Sequence, residues 1–178
     1  VRWWWLVPIA VVLFGLYLAW TSTRLDRLHA RVDAARAALD AQLVRRSAVT
    51  LELAASGLLD PASSLLLASV AHSARAASVS EREVAESDLT RALLAALDGR
   101  ESHEPLLTDP AGEDLVTELD ASSTKVQLAR RFHNDAVRAT LAVRRKGLVR
   151  ALRLAGHAPE PRFFEMEDTP VGVSPGGE

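Results

Sequence analysis

The residues able to do chemistry in this chain are few and scattered. There are five histidines, His29, His72, His103, His133 and His157, and no cysteine. No two histidines stand at the i, i+4 spacing that lets one helical face hold a metal. Without cysteine there is no disulfide and no thiolate site. The densest constellation is Phe132-His133-Asn134-Asp135. His133 shares a helical stripe with Val126, Ala129 and Ala136, the setting of a packed, hydrogen-bonded core histidine. His133 and Asp135 are two apart, so on a helix they diverge and cannot act on one another. The chain contains no Walker loop, GxGxxG, HExxH or GxSxG. The expectation is a protein that is not an enzyme, with no catalytic residue, no cofactor and no metal.

The element that must position everything else is Trp3 to Trp20, WWWLVPIAVVLFGLYLAW, 18 consecutive residues without a charge. As a helix it spans about 27 Å. Thr21 to Thr23, whose hydroxyls can bond back to helix carbonyls, bring it close to the ~30 Å of a bilayer core. Trp3, Trp4 and Trp5 at one end and Trp20 at the other match the two headgroup levels, where indoles settle. Pro8 falls in the first turns, where a missing N–H costs little. A cleavable signal peptide would need a shorter apolar run and a small-residue site, and Leu18-Ala19-Trp20 is a poor one. Residues 1–23 thus read as a transmembrane anchor. Arg24, Arg27, Arg31 and Arg36 follow it, against Arg2 before it. That bias places the N-terminus outside and the rest at the cytoplasmic face of the cell membrane.

The part after the anchor is rich in Ala, Leu, Arg and Glu, strong helix formers, and shows no period-two strand pattern. Helix A continues out of the membrane to about Gly57. Its stripe runs through Leu25, Leu28, Val32, Ala35, Leu39, Gln42, Arg46, Val49 and Leu53. Packing within one bundle is favoured over a coiled-coil dimer. Gln42 and Arg46 are polar intruders, either at a solvated edge or facing polar partners from another helix. Helix B is expected over 61–77, with Leu65, Leu66, Val70 and Ala74 inward. Helix C is expected over 81–98, with Val84, Leu89, Leu93, Leu94 and Leu97 inward and Ser78 to Glu81 as its cap. After a Pro- and Gly-containing loop, helix D is expected over 113–155, with Phe132 among its apolar positions and Gly147 as its weak point. The fold class is therefore all-α: an N-terminal transmembrane helix, an antiparallel up-down four-helix bundle over 24–157, and a Pro/Gly-rich acidic tail, 158–178, expected to be disordered. Phe163 and Phe164 can tack the start of that tail onto the bundle.

Net charge is −2, but it is unevenly spread. Helix C and the following loop are acidic, whereas Lys125 to Arg153 holds nine bases and one acid, Asp135. A solvated face matched by acidic neighbours is the plain reading. The basic end Arg144, Arg145, Lys146, Arg150 and Arg153 also suits anionic lipid. Nucleic acid is not expected, because no aromatic residues interleave with the charges.

Three stretches carry a family resemblance. Asp40-Ala41-Gln42-Leu43-Val44-Arg45-Arg46 follows the pattern D-x-Q-L-x-R-R. Ala129-Arg130-Arg131-Phe132-His133-Asn134-Asp135-Ala136-Val137-Arg138 is similar to A-R-R-x-Y-N-D-A-V-R, with His133 at the tyrosine position. Phe163-Phe164-Glu165 closes the series. In this order, after an N-terminal anchor, they resemble the LemA family. The chain departs from the family at Val49 to Leu53, where a proline is missing, at Ala139-Thr140, at Arg144 to Lys146 and at Gly156-His157. The resemblance implies a divergent member: a single-pass membrane protein with a cytoplasmic four-helix bundle and no established enzymatic activity. If Leu25 lies level with about Ala155 in an antiparallel pair, Arg46 meets Asn134 and Asp135, and Asp40 and Gln42 meet Arg138. These six would form a polar layer, with an Arg46–Asp135 ion pair, acting as a register lock or a binding site. The expected function is a non-enzymatic scaffold or adaptor tethered to membrane lipid through residues 3–20 and serving an unidentified protein partner. A small-molecule-binding or catalytic bundle, or an anionic-lipid sensor, is the alternative.

Overall fold

The computed structural model describes residues 3–97, 106–151 and 159–169. All regular structure among them is helical. A 3-10 turn at Trp3–Trp5 leads into α1, Leu6–Ala55, followed by α2, Pro61–Ala76, α3, Arg82–Leu97, α4, Pro110–Arg144, and the short α5, Gly147–Ala151.

The boundaries follow local chemistry. Helix α1 runs 50 residues without interruption because nothing in it after Pro8 breaks the backbone ladder. Thr21 and Thr23 donate to the carbonyls of Tyr17 and Ala19, at 2.8 and 3.0 Å. The helix ends just before Gly57, whose φ of +76° is left-handed and suits glycine. Asp60 caps α2, its Oδ1 accepting from the amides of Ala62 and Ser63 at 2.9 and 3.0 Å, and Pro61 occupies the first turn. Before α3, the Ser78 hydroxyl donates to Glu81 Oε2 at 2.6 Å. Asp109 accepts from Ala111 at the start of α4.

Gly112 stands where only glycine fits: a Cβ there would meet the Leu106 carbonyl oxygen at 2.4 Å. Gly112→Ala is expected to destabilise the protein by about 1–3 kcal/mol, the usual cost of overpacking against an unyielding neighbour. Urea unfolding followed by circular dichroism reads this directly.

The chain divides into two compact units, residues 1–36 with 132–163, and residues 37–131 with 164–178. In the first unit, Val32 packs with Ala136, Val137 and Leu141, and Leu25 with Val143 and Val149. Thr140 Oγ1 reaches the Leu28 carbonyl at 3.5 Å. Numbers rising on α1 meet numbers falling on α4. In the second unit, Val49, Leu53, Leu67, Ala71, Leu89, Leu93, Val116 and Leu119 form the main core. A smaller core joins Leu39, Leu43, Val126, Phe164 and Met166.

Several expectations change. Helix D does not run on to 155: α4 stops at Arg144, and α5 restarts at Gly147, so the weak point breaks the helix. The expected inner face of α2 holds in part: Ala74 is buried and Val70 packs against the core, but Leu65 and Leu66 are exposed, and Leu67 and Ala71 are buried in their place. Val84 and Phe132, expected inside, are also exposed. In the tail, residues 159–169 form no helix, and Phe164 and Met166 are buried. Alternation puts these two side chains on one side, enough apolar surface to pack a segment expected to be disordered. Residues 170–178, Leu154 and Arg153 lie outside the described residues, as do His103 and His157.

Candidate functional site

The most distinctive polar group lies in the second unit. Arg46, on the apolar stripe of α1, is 3% exposed, and Glu86 on α3 is fully buried. Arg46 Nη2 donates to Glu86 Oε2 at 2.6 Å and to the Glu86 carbonyl at 3.2 Å, and Nη1 donates to Thr90 Oγ1 at 3.1 Å. Thr90 Oγ1 in turn donates to the Glu86 carbonyl. Two atoms of the pair, Arg46 Nε and Glu86 Oε1, are buried with no hydrogen-bond partner among the described residues. Arg46 therefore meets a polar partner from another helix, the second of the two options its position allowed, but the partner is Glu86 and not Asp135.

The reason is register. Leu25 packs against Val143 on α4, 12 residues before the assumed match at 155 (155 − 143), a shift of about three turns or near 18 Å at 1.5 Å per residue. Asp135 pairs instead with Arg138 at 2.6 Å, both on the surface. Asp40, Gln42 and Asn134 are half-buried. The six residues of the expected polar layer thus divide: Asp40, Gln42 and Arg46 belong to the second unit, Asn134, Asp135 and Arg138 to the first.

Burial pushes the Glu86 carboxyl above the ordinary glutamate value, outweighing the opposing pull of Arg46 and, further away, Arg82. A carboxyl raised in the folded state binds more protons folded than unfolded between the two pKa values. Stability from this group is therefore largest below the ordinary glutamate value and is lost as pH rises through the raised one. Glu86→Gln is expected to remove that slope, read as a flatter dependence of unfolding free energy on pH above the ordinary glutamate value than the wild type shows.

The first unit holds a cavity of about 320 Å3, lined by His29, Asp33, Arg36, His133, Glu160 and Arg162 among others. His133 is 2% exposed, and its Nε2 donates to the Arg162 carbonyl at 3.2 Å. It is therefore the packed core histidine its spacing indicated. Arg144 donates to His29 Nε2 and to the Pro159 carbonyl, both at 3.2 Å. Since arginine only donates, His29 Nε2 is the acceptor in this contact. No group of three His, Asp or Glu able to hold a metal occurs among the described residues.

Arg145, Lys146 and Arg150 of the basic end are exposed, while Arg144 is drawn inward. Trp3, Trp4 and Trp20 are exposed, and the Arg24 guanidinium lies 5.5 Å from the Trp20 ring centroid. The side chain of Trp5 lies outside the described residues.

Glu86 and the Asp168 clasp were missed by sequence reasoning. A signal for Glu86 existed: it precedes Leu89, Leu93 and Leu97 by three, seven and eleven, on their helical face. Asp168 carried none, since nothing in a Pro-rich tail marks which residue returns to the helices. Its carboxylate accepts from Arg130 Nε at 3.0 Å.

Among the described residues one helix, α1, is long and apolar enough to cross a membrane. No protein-family model, curated protein or solved structure matches this chain.

Proposed function

We propose that this chain is a membrane-tethered, non-enzymatic protein of the LemA type that holds a helical domain at the cytoplasmic face of the cell membrane as a scaffold or adaptor for a protein partner. The observation that carries this reading is α1 itself. Its apolar window has only 6% of its residues buried within the molecule, whereas a core helix of a water-soluble protein is mostly covered. Bare apolar surface of that extent needs a nonaqueous solvent. The same helix passes without a break into residues packed against α3 and α4, so the tether is continuous with the domain. The four long helices are read as an up-down bundle, in keeping with the falling pairing of α1 with α4. Arginines following the anchor favour the cytoplasmic side, and the three motif stretches favour the family. Extraction of membranes with alkaline carbonate tests the anchor: the chain stays in the pellet, and its release into the supernatant would overturn the reading.

A second reading has one observation in its favour. The cavity lined by His29, Arg36, His133 and Arg162 falls in the size range of small-molecule sites. Its lining mixes two arginines with two acids, which suits a small polar ligand carrying both charges.

A further inference from the structure

The segment Phe164–Asp168 is held in the second unit as a bound peptide is held. Its side chains alternate. Phe164 and Met166 are buried with Leu39, Leu43 and Val126, and Ala129 packs against this cluster, while Glu165 and Glu167 face outward. Its backbone is read by side chains one helical turn apart on α3. The Glu165 amide donates to Glu83 Oε1 at 3.2 Å, and the Glu167 amide to Ser87 Oγ at 3.1 Å. The Ser87 hydroxyl spends its own proton on the Glu83 carbonyl, which leaves its oxygen free to accept. At the far end, Gln127 Nε2 donates to the Asp168 carbonyl at 2.6 Å, and Arg130 clasps the Asp168 carboxylate. Arg91 stands 3.9 Å from the Glu167 carboxylate.

Two bulky apolar side chains and two acids, Glu167 and Asp168, are recognised by type here, and the remaining contacts go to backbone groups that any peptide owns. We infer that α1, α3 and α4 form a docking groove for an extended acidic peptide of a partner protein, with bulky apolar residues at alternate positions and an aspartate two residues after the second, and that Phe164–Asp168 fills this groove in cis. Charge complementarity supports that occupant: Arg130 and Arg91 line the end where the acids fall. The groove deepens the adaptor reading and rests on it for the partner, but it does not require the membrane, so its failure and the failure of the anchor are separable.

The test uses the full chain in detergent and a fluorescein-labelled peptide with the sequence of residues 162–169. An attached segment competes at an effective concentration of about millimolar, so the wild type should bind the labelled peptide at least tenfold more weakly than the double variant Phe164→Ala with Met166→Ala, in which the cis segment no longer fills the groove. Adding Arg130→Glu to that variant should abolish binding, and a scrambled peptide should not bind. If the double variant loses its helical circular dichroism signal, Asp168→Lys, which removes the clasp and touches no buried apolar side chain, is read instead and should bind the peptide severalfold more tightly than the wild type. Absence of peptide binding to a folded emptied variant overturns the groove. A wild-type dimer that dissociates on Phe164→Ala with Met166→Ala overturns the partner assignment in favour of segment exchange with a second copy.

Discussion

Replacing Arg46 with alanine is expected to cost about 3–5 kcal/mol, the usual penalty for removing one partner of a buried ion pair. The Glu86 carboxylate is fully buried, and without Arg46 its Oε2 and carbonyl lose their guanidinium donors. Against a total stability of about 5–15 kcal/mol for an ordinary domain, that loss is a large share. The double replacement Arg46→Met with Glu86→Leu should behave differently. It removes both charges together and fills the space, so no uncompensated buried charge remains, and the Glu86 position's carbonyl keeps the Thr90 hydroxyl as donor. Its expected stability is close to the wild type or above it. Urea midpoints for the three proteins, at constant slope, check the ordering. A single variant as stable as the wild type would show that the pair is not buried as described.

The second large effect concerns the anchor. Leu, Ile, Val and Phe supply nine of the residues from Trp3 to Trp20, together worth about 3–5 kcal/mol of favourable insertion at roughly 0.3–0.6 each. An arginine near the centre of a span costs about 2.5–3.5 kcal/mol on the same kind of scale. The double variant Leu13→Arg with Leu16→Arg therefore reverses the sign of the balance. Both side chains are more than 60% exposed in the molecule, so the substitutions disturb no internal packing. The expected result is a chain that leaves the carbonate-washed pellet while keeping its helical circular dichroism signal.

How much of this could be read in the sequence depends on whether the cause was local. The end of α1 before Gly57, the start of α2 at residue 61 and the Ser78 to Glu81 cap are each decided within a few residues, and each is where its signal put it; Gly147 carried the signal of a weak point, but the helix was expected to run through it. The buried faces of α2 and α3 were less legible. Leu65, Leu66 and Val84 are as apolar as Leu67 and Leu89, and periodicity alone does not say which row meets a neighbour. The polar layer failed for a longer-range reason. Its register assumed an unbroken last helix, so an error at Lys146 and Gly147 displaced every pairing upstream. That is why the sequence marks Arg46 as needing a partner but does not single out Glu86, one of several acids of helix C, as the one. The tail was legible in part: Phe164, marked as able to tack its start onto the helices, is buried, whereas Met166 carried no signal, because composition describes the average of the segment and not its minority of packed residues.

The central claim is that an uncovered apolar helix crosses the membrane and leaves the helical domain on the cytoplasmic side. The native chain has no cysteine, so a single Val79→Cys substitution, at a surface position between α2 and α3 that is 74% exposed, gives an unambiguous reporter. In washed, sealed, right-side-out vesicles the introduced thiol should react with a membrane-impermeant maleimide only after detergent is added. Full labelling before detergent, or loss of the chain from the vesicles on washing, would contradict the account.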